Sequence, residues 1–533
     1  MVDMPSLEEF TALQQALAEA LKRNESLAGE LRVTRAERDL LKEQLSKFKR
    51  QLFAASSEVA GQDQKDMFFN EAESLGALAE PAAEETGDDD KIDVPGHKRA
   101  KRGRKPLDPA LPREVVRHEL PEAERLCPHD GARLSEIGVE VSEQLDIVPQ
   151  QVRVIRHERV KYACPCCDGG MRLAARPAQV IPKGLFTENA LAWIATSKYL
   201  DGLPLYRQAA LLARFGGTDI SRNTVAGSMV RIGQAVQPVI NLLRDELLES
   251  PLVFGDETEL QVLKEPGRSA QAKSYLWAQM TERSGKDGTG PPIRLFGYSP
   301  SRSTKAALEL YAGIRQGAVL MSDGYDVYDA VAEAHQLVHL GCWTHCRRYF
   351  FDALQGLPKD KRGPDQLPAK FIALIAELYK VEAQARQDGV DVSELGHRRK
   401  QQSVPVLAAI EALLLANIHT ALPASLLGKA LHYLSSQWPK LKRYVEDGRY
   451  SIDNNAQENA IRPFCVGRRN WLFADTVAGA NASANLYSLL QTCQVNGIDG
   501  YRYLRALFLA LPTARTADDY AALLPWRIAL DAA

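Results

Sequence analysis

Three separated acidic motifs hold the residues best suited to chemistry: Gly255-Asp256-Glu257-Thr258, Ser322-Asp323-Gly324-Tyr325 and Asp453-Asn454-Asn455-Ala456-Gln457-Glu458. Asp256 and Asp323 follow short apolar runs, Leu252-Val253-Phe254 and Ala318-Val319-Leu320-Met321, which read as buried strands. Glu458 stands in a polar segment that opens toward Ala460-Ile461, a predicted helix. A carboxylate at a strand end is rigidly aimed, and Mg²⁺ prefers hard oxygen ligands. Three such groups could hold two ions about 4 Å apart, which activate a water or a 3′-hydroxyl and stabilise the leaving oxygen of a phosphoryl transfer. With 68 acidic residues in the chain, any one motif alone reads as a strand-end turn or a helix cap. The combination of two strand-terminal aspartates and a later helical glutamate carries the inference.

That reading requires particular elements around the acids. One strand ends at Asp256. Ser274–Met280 and Ile293–Tyr298 supply two antiparallel neighbours, a helix spans about Thr304–Tyr311, a fourth strand ends at Asp323, and Leu337–Leu340 is a fifth. The expectation is an RNase H-like α/β core over 246–475. Asp256 and Asp323 are 67 positions apart, enough for three strands and a helix. The 135 positions from Asp323 to Glu458 exceed one strand and one helix, so an all-helical insertion is expected at about 352–445. Its helical patterns lie at Phe371–Tyr379, Val406–Leu414 and Ala430–Leu434. A helical segment, 476–533, closes the chain.

Upstream, residues 1–53 carry a heptad pattern through Phe10, Leu13, Leu17, Ala20, Asn24, Leu27, Leu31, Thr34, Arg38, Leu41, Leu45, Phe48 and Leu52, with polar exceptions, which predicts an α-helical coiled coil and a homodimer or higher oligomer; the same pattern also reads as a lone helix packed on the body of the protein. Residues 54–110 read as a flexible linker rich in charge and poor in large apolar side chains. Within it, Lys98, Arg99, Lys101, Arg102, Arg104 and Lys105 resemble an AT-hook, whose Arg-Gly-Arg core lies in a narrow minor groove; the same residues also read as a basic tail on phosphates. Residues 111–175 read as a small β-rich, zinc-finger-like module, with strand-like alternation at Glu143–Pro149 and Val152–His157. Cys164 and Cys167 have C-x₂-C spacing, and Cys127 with Asp130 or His129 completes a candidate zinc set. Residues 176–245 predict helices; a glycine break at Gly216-Gly217 and Ser221 as N-cap fit either a helix-turn-helix with Arg222 at its recognition helix or a plain helical hairpin.

Together the motifs resemble the large transposase of the insertion sequence sixty-six family, a DDE-type enzyme. The similarity is carried by Asp453–Pro463, by Gly467-Arg468-Arg469-Asn470-Trp471-Leu472-Phe473, by Asp323-Gly324-Tyr325, by Gly341-Cys342-Trp343-Thr344-His345, and by Ser197-Lys198-Tyr199 with Leu203–Gln208. The resemblance implies Asp256, Asp323 and Glu458 as the catalytic, metal-holding triad, served by two Mg²⁺ ions or Mn²⁺. It implies cleavage at insertion-sequence ends and strand transfer into target DNA, and small accessory proteins of the same element as partners. It also implies a second C-x₂-C pair in the zinc module; here Asp130 replaces a cysteine, and Asn459 stands where the family usually has arginine. Alternatives are a nuclease of the same fold that does not join ends, and a non-catalytic DNA-binding regulator.

Further contacts to DNA are expected from Arg302, Arg462, Arg468 and Arg469, with Trp471 either stacking on a base or buried in the core. Cys342, His345 and Cys346 read as a buried strand-to-helix junction, with His345 within reach of the acids. With 66 basic against 68 acidic residues the chain is not globally basic, so a DNA binder must concentrate its positive charge locally. No apolar run of about 20 residues is present, so no membrane partner is expected, and a cytoplasmic, nucleoid-associated placement is.

Overall fold

The computed structural model describes residues 17, 19–24, 27, 34, 38, 41, 152–163, 171–175, 177–216 and 219–530. The basic segment, most of the heptads, Cys127, His129, Asp130, Glu143–Pro149 and Cys164–Cys167 lie outside them. The chain forms a large unit of residues 1–81, 156–214 and 218–533 and a small one of 82–155 with 215–217. The sheet and the three acids belong to the large unit.

The described residues between 17 and 41 are helical, and Leu17, Leu21, Leu27 and Leu41 are exposed. The strand expected at 152–157 does not form: residues 152–160 have no regular structure. The alternation there meets no partner strand among the described residues, and an unpaired ribbon is not stable in water. Instead β1 (Lys161–Ala163) pairs antiparallel with β2 (Met171–Leu173), so that Cys164–Cys167 falls in their connection.

Four helices follow: α1 (Glu188–Tyr199), α2 (Leu205–Gly216), α3 (Arg222–Ala235) and α4 (Gln237–Leu248). Ser221 caps α3 as expected, its Oγ accepting the Thr224 N–H at 3.1 Å. Val225, Met229 and Ile232 of α3 are buried, while Arg222 and Asn223 at its start are exposed.

The mixed sheet has the order β5-β4-β3-β6-β7. Its strands are β3 (Leu252–Lys264), β4 (Lys273–Thr281), β5 (Ile293–Ser299), β6 (Val319–Met321) and β7 (Val338–Leu340). β3–β4 and β4–β5 are antiparallel; β3–β6 and β6–β7 are parallel. α5 (Thr304–Leu310) and α6 (Asp326–His335) connect the later strands. β3 corrects one expectation: it does not end at Asp256 but runs on to Lys264, because β4 pairs with it antiparallel through Gln261. Only its parallel pairing with β6 stops early, at Phe254↔Met321.

Beyond β7 the chain enters α7 (Trp343–Gly356), then α8 (Leu367–Gln387), α9 (Val392–Arg398), α10 (Val404–Asn417) and α11 (Leu426–Leu441). These helices bury their own core, which includes Trp343, Phe350, Phe371, Ile410, Leu434 and Trp438. α12 (Asn455–Trp471) then returns to the sheet and β8 (Ala474–Thr476) pairs with the far end of β3. α13 (Val477–Val495) packs along β5: Ser488 Oγ accepts the Phe296 N–H at 2.8 Å, and Thr492 Oγ1 both accepts the Arg294 N–H at 3.1 Å and donates to the Arg294 carbonyl at 3.0 Å. α14 (Gly500–Ala510) and α15 (Ala517–Ala521) complete the described chain. Among the described residues no helix is long and apolar enough to cross a membrane.

Candidate active site

Asp256 and Asp323 each stand two residues beyond the last parallel pair of β3 and β6. Adjacent parallel strands are about 4.8 Å apart, so the equal offset leaves the two aspartates at the same end of neighbouring strands, where the charge of Asp323 bears on Asp256. Asp256 Oδ1 accepts its neighbour's N–H, from Glu257, at 2.8 Å, and Asp323 Oδ1 accepts the Tyr325 N–H at 3.0 Å. Both carboxylates are thereby aimed by their own backbone.

Glu458 arrives on the first turn of α12, and two amides fix that turn to the sheet. Asn454 Nδ2 donates to the Gly255 carbonyl at 3.1 Å, and Gln457 Nε2 to the Ala278 carbonyl at 2.9 Å. Gly255 precedes Asp256, and Ala278 is its register partner on β4. Asn454 therefore does not cap the helix through its side chain. Asp453 instead accepts the Asn455 N–H at 3.1 Å and the Thr344 hydroxyl at 3.2 Å. The sequence reading missed this pair of clamps; its signal was the run of amides, Asn454, Asn455 and Gln457, at the mouth of an amphipathic helix.

Burial, then the negative charges of Glu257, Asp323 and Glu458, push the Asp256 carboxyl well above the ordinary aspartate range. Glu257 faces away: it accepts from Tyr328 Oη at 2.8 Å and pairs with Arg302 Nη2 at 2.8 Å. Glu458 Oε1 is buried without a hydrogen-bond partner; His345 Nε2 stands 3.7 Å from it, and Arg348 Nη2 3.9 Å from Oε2. Burial lowers the His345 pKa while the Glu458 charge opposes the shift. His339, also buried, joins Ser322 Oγ at 2.8 Å to Asp329 at 2.9 Å, and so braces the residue before Asp323.

The donor chemistry fits a divalent cation: three carboxylates, one orphaned oxygen and an aspartate crowded by like charge, which a cation would relieve. Among the described residues, however, no three His, Cys, Asp or Glu side chains form a ready-made ion site as arranged.

The chain matches the model of the Transposase IS66 family over residues 183–482, more than half its length. It belongs to that family. The zinc-finger binding domain of transposase IS66 matches residues 124–168, the Transposase C of IS166 homeodomain matches 40–116, and the IS66 C-terminal element matches 488–526. Two uncharacterized proteins of Sinorhizobium fredii are similar. One, y4qI, is 34% identical over 82% of this chain and 79% of its own; the other, y4jD, is 31% identical over 91% and 94%. The Drosophila P element transposase strand transfer complex aligns over 60% of this chain and 94% of that one, at 10% identity and a TM-score of 0.30.

The remaining expected contacts of this IS66-family chain are placed as follows. Arg302 does not stand free for phosphate: besides its pair with Glu257 it lies 4.0 Å over the Tyr325 ring. Arg468 donates to the Thr258 hydroxyl and the Glu259 carbonyl. Arg462 is half-buried and Arg469 exposed, both on α12 beyond Glu458. Trp471 packs partly buried against the core, with Lys198 Nζ 4.9 Å over its ring. Cys342 and Cys346 are buried where β7 passes into α7.

Proposed function

We propose that this transposase performs metal-dependent phosphoryl transfer on DNA, cutting at insertion-sequence ends and joining the freed 3′-hydroxyl to a target, with Asp256, Asp323 and Glu458 as the metal-holding residues. The observation that carries the reading is the equal two-residue offset of Asp256 and Asp323 on the neighbouring parallel strands β3 and β6, with the helix of Glu458 clamped to β3 and to its other neighbour, β4. The strand order, with three antiparallel and two parallel members, supports an RNase H-like core. Two Mg²⁺ or Mn²⁺ ions, when bound, would supply the activated oxygen nucleophile and the charge that stabilises the leaving oxygen. The chain's own residues do the rest. Asn454 and Gln457 hold α12 in place, the Tyr325 N–H and the Ser322–His339 bridge fix the Asp323 loop, and the Glu257–Arg302 pair keeps the opposite face of β3 neutral.

Zinc would be held by Cys127, Cys164, Cys167 and either Asp130 or His129. The basic run from Lys98 to Lys105, with Arg222, Arg462 and Arg469, would grip DNA. The exposed Leu17, Leu27 and Leu41 on the N-terminal helix support pairing of two copies through a coiled coil.

The test is cleavage and strand transfer on a labelled duplex carrying the terminal repeat of the element, with Mg²⁺. Wild type is compared with Asp323→Ala and Glu458→Ala. Joined products in wild type alone are expected. Cleavage without joining would replace the reading by a nuclease, and products in either variant would remove that carboxylate from it.

A further inference from the structure

One face of α7 looks into the site. His345, Arg348 and Tyr349 follow one another at i, i+3 and i+4, so they share that face. The first two stand within 4 Å of Glu458, as above. Tyr349 stacks on Tyr433 of α11, with ring centroids 4.5 Å apart and planes 25° apart. The Tyr433 ring in turn presses on the Asp323 loop: a Cβ on Gly324 would lie 2.6 Å from it. A two-ring stack, one ring from α7 and one from the helical insertion, therefore stands beside Asp323 and Glu458.

An aromatic pair could serve only to fasten the insertion to α7. The next residue already does this: Phe350 stacks on Phe371 at 4.3 Å, and both are fully buried. Tyr349 differs in being 40% exposed, with Arg348 beside it 46% exposed. Tyr433 keeps a buried hydroxyl with no hydrogen-bond partner. Exposed ring and adjacent cation together match one ligand chemistry, a nucleotide. A ring already ordered by stacking loses little entropy when a base joins the stack, and base–aromatic stacking tolerates any base.

We propose that Tyr349, backed by Tyr433, is the stacking subsite for the nucleobase adjoining the scissile phosphate, and that Arg348 contacts that phosphate. The proposal rests on the active-site reading above and adds the part of the substrate that the insertion recognises.

Photocrosslinking tests it. 5-Iodouracil is placed singly at each position near the cut in the terminal-repeat duplex, bound by the full-length protein, irradiated and digested with trypsin. The base next to the cut is expected to mark the peptide Tyr349–Lys359. Tyr349→Phe keeps the adduct; Tyr349→Leu loses it and lowers kcat/KM for cleavage on the order of ten-fold, with an unchanged melting temperature. An adduct of that base on another segment, or Tyr349→Leu cleaving like wild type, overturns the proposal. Asp323→Ala separates the two ideas: if it cleaves normally, the carboxylate reading has failed; if it is inert while the adduct maps elsewhere, only the subsite has.

Discussion

Gly255→Ala puts one methyl group where the fold leaves no room for it. A Cβ on Gly255 would lie 2.2 Å from Tyr311 Oη and 2.8 Å from Tyr328 Cε1. Ordinary contact is about 3.5 Å, so the shortfall is about 1.3 Å and about 0.7 Å. Neither ring can retreat. Both tyrosines are fully buried, their rings meet edge-on at 6.4 Å, and Tyr328 also abuts Trp277 at 6.0 Å and donates to Glu257 at 2.8 Å. The strain must fall on β3, displacing Asp256 and the Gly255 carbonyl that holds Asn454. Overpacking of this kind costs about 1–3 kcal/mol, and a misplacement of about 1 Å at a reacting group can cost about 100-fold in rate. The expected result is a melting temperature lower by several degrees, read by circular dichroism, and metal-dependent cleavage reduced by about two orders of magnitude. Gly227→Ala is the control: nothing lies within 4 Å of its Cβ and it sits inside α3, so a gain of up to about 1 kcal/mol is expected. Wild-type melting and cleavage in Gly255→Ala would refute the reasoning.

Asp256→Asn should abolish cleavage yet stabilise the metal-free protein. The folded state raises this carboxyl above the ordinary 3.8, so ionising it costs stability as pH rises through the folded value. The two proteins should therefore melt alike near pH 4 and diverge at higher pH with the variant ahead, and Mg²⁺ should narrow the gap; equal melting curves at neutral pH would count against the crowded arrangement. Arg399 is 2% exposed and joins Glu382 through two nitrogens, each at 2.8 Å, and the Tyr444 and Asp447 carbonyls, also at 2.8 Å. Arg399→Leu should destabilise the helical insertion by about 3–5 kcal/mol in urea unfolding, and Arg399→Leu with Glu382→Leu should recover part of it; an unchanged midpoint in the single variant would contradict this.

Periodicity and spacing made much of the architecture legible. The 67-residue gap between the aspartates left room for three strands and a helix, and the 135-residue gap for one more strand and then helices, and these are present. Alternation could not say where β3 ends, because its continuation past Asp256 depends on β4, a partner set by tertiary pairing. Nor could it see that Arg302 is occupied: the Glu257 that holds it lies 45 residues away in sequence, and only the fold brings them together. Asn454 was legible as a residue type suited to a helix start, but its target, a carbonyl on β3 roughly 200 positions earlier, was not. Val152–His157 failed for the converse reason, a local pattern without a neighbour.

The hydroxyls of Ser488 and Thr492 have a consequence for how copies of this chain can meet. Four residues of helix advance about 6 Å and two residues of strand about 6.8 Å, so the two side chains keep step with Phe296 and Arg294 along β5. The backbone groups an incoming strand would need are spent on the chain's own C-terminal region. Over Arg294–Phe296 that border has no free N–H to offer a neighbouring strand. A chain cut short before Ser488 would regain a bare, adhesive margin and should aggregate where the full chain does not.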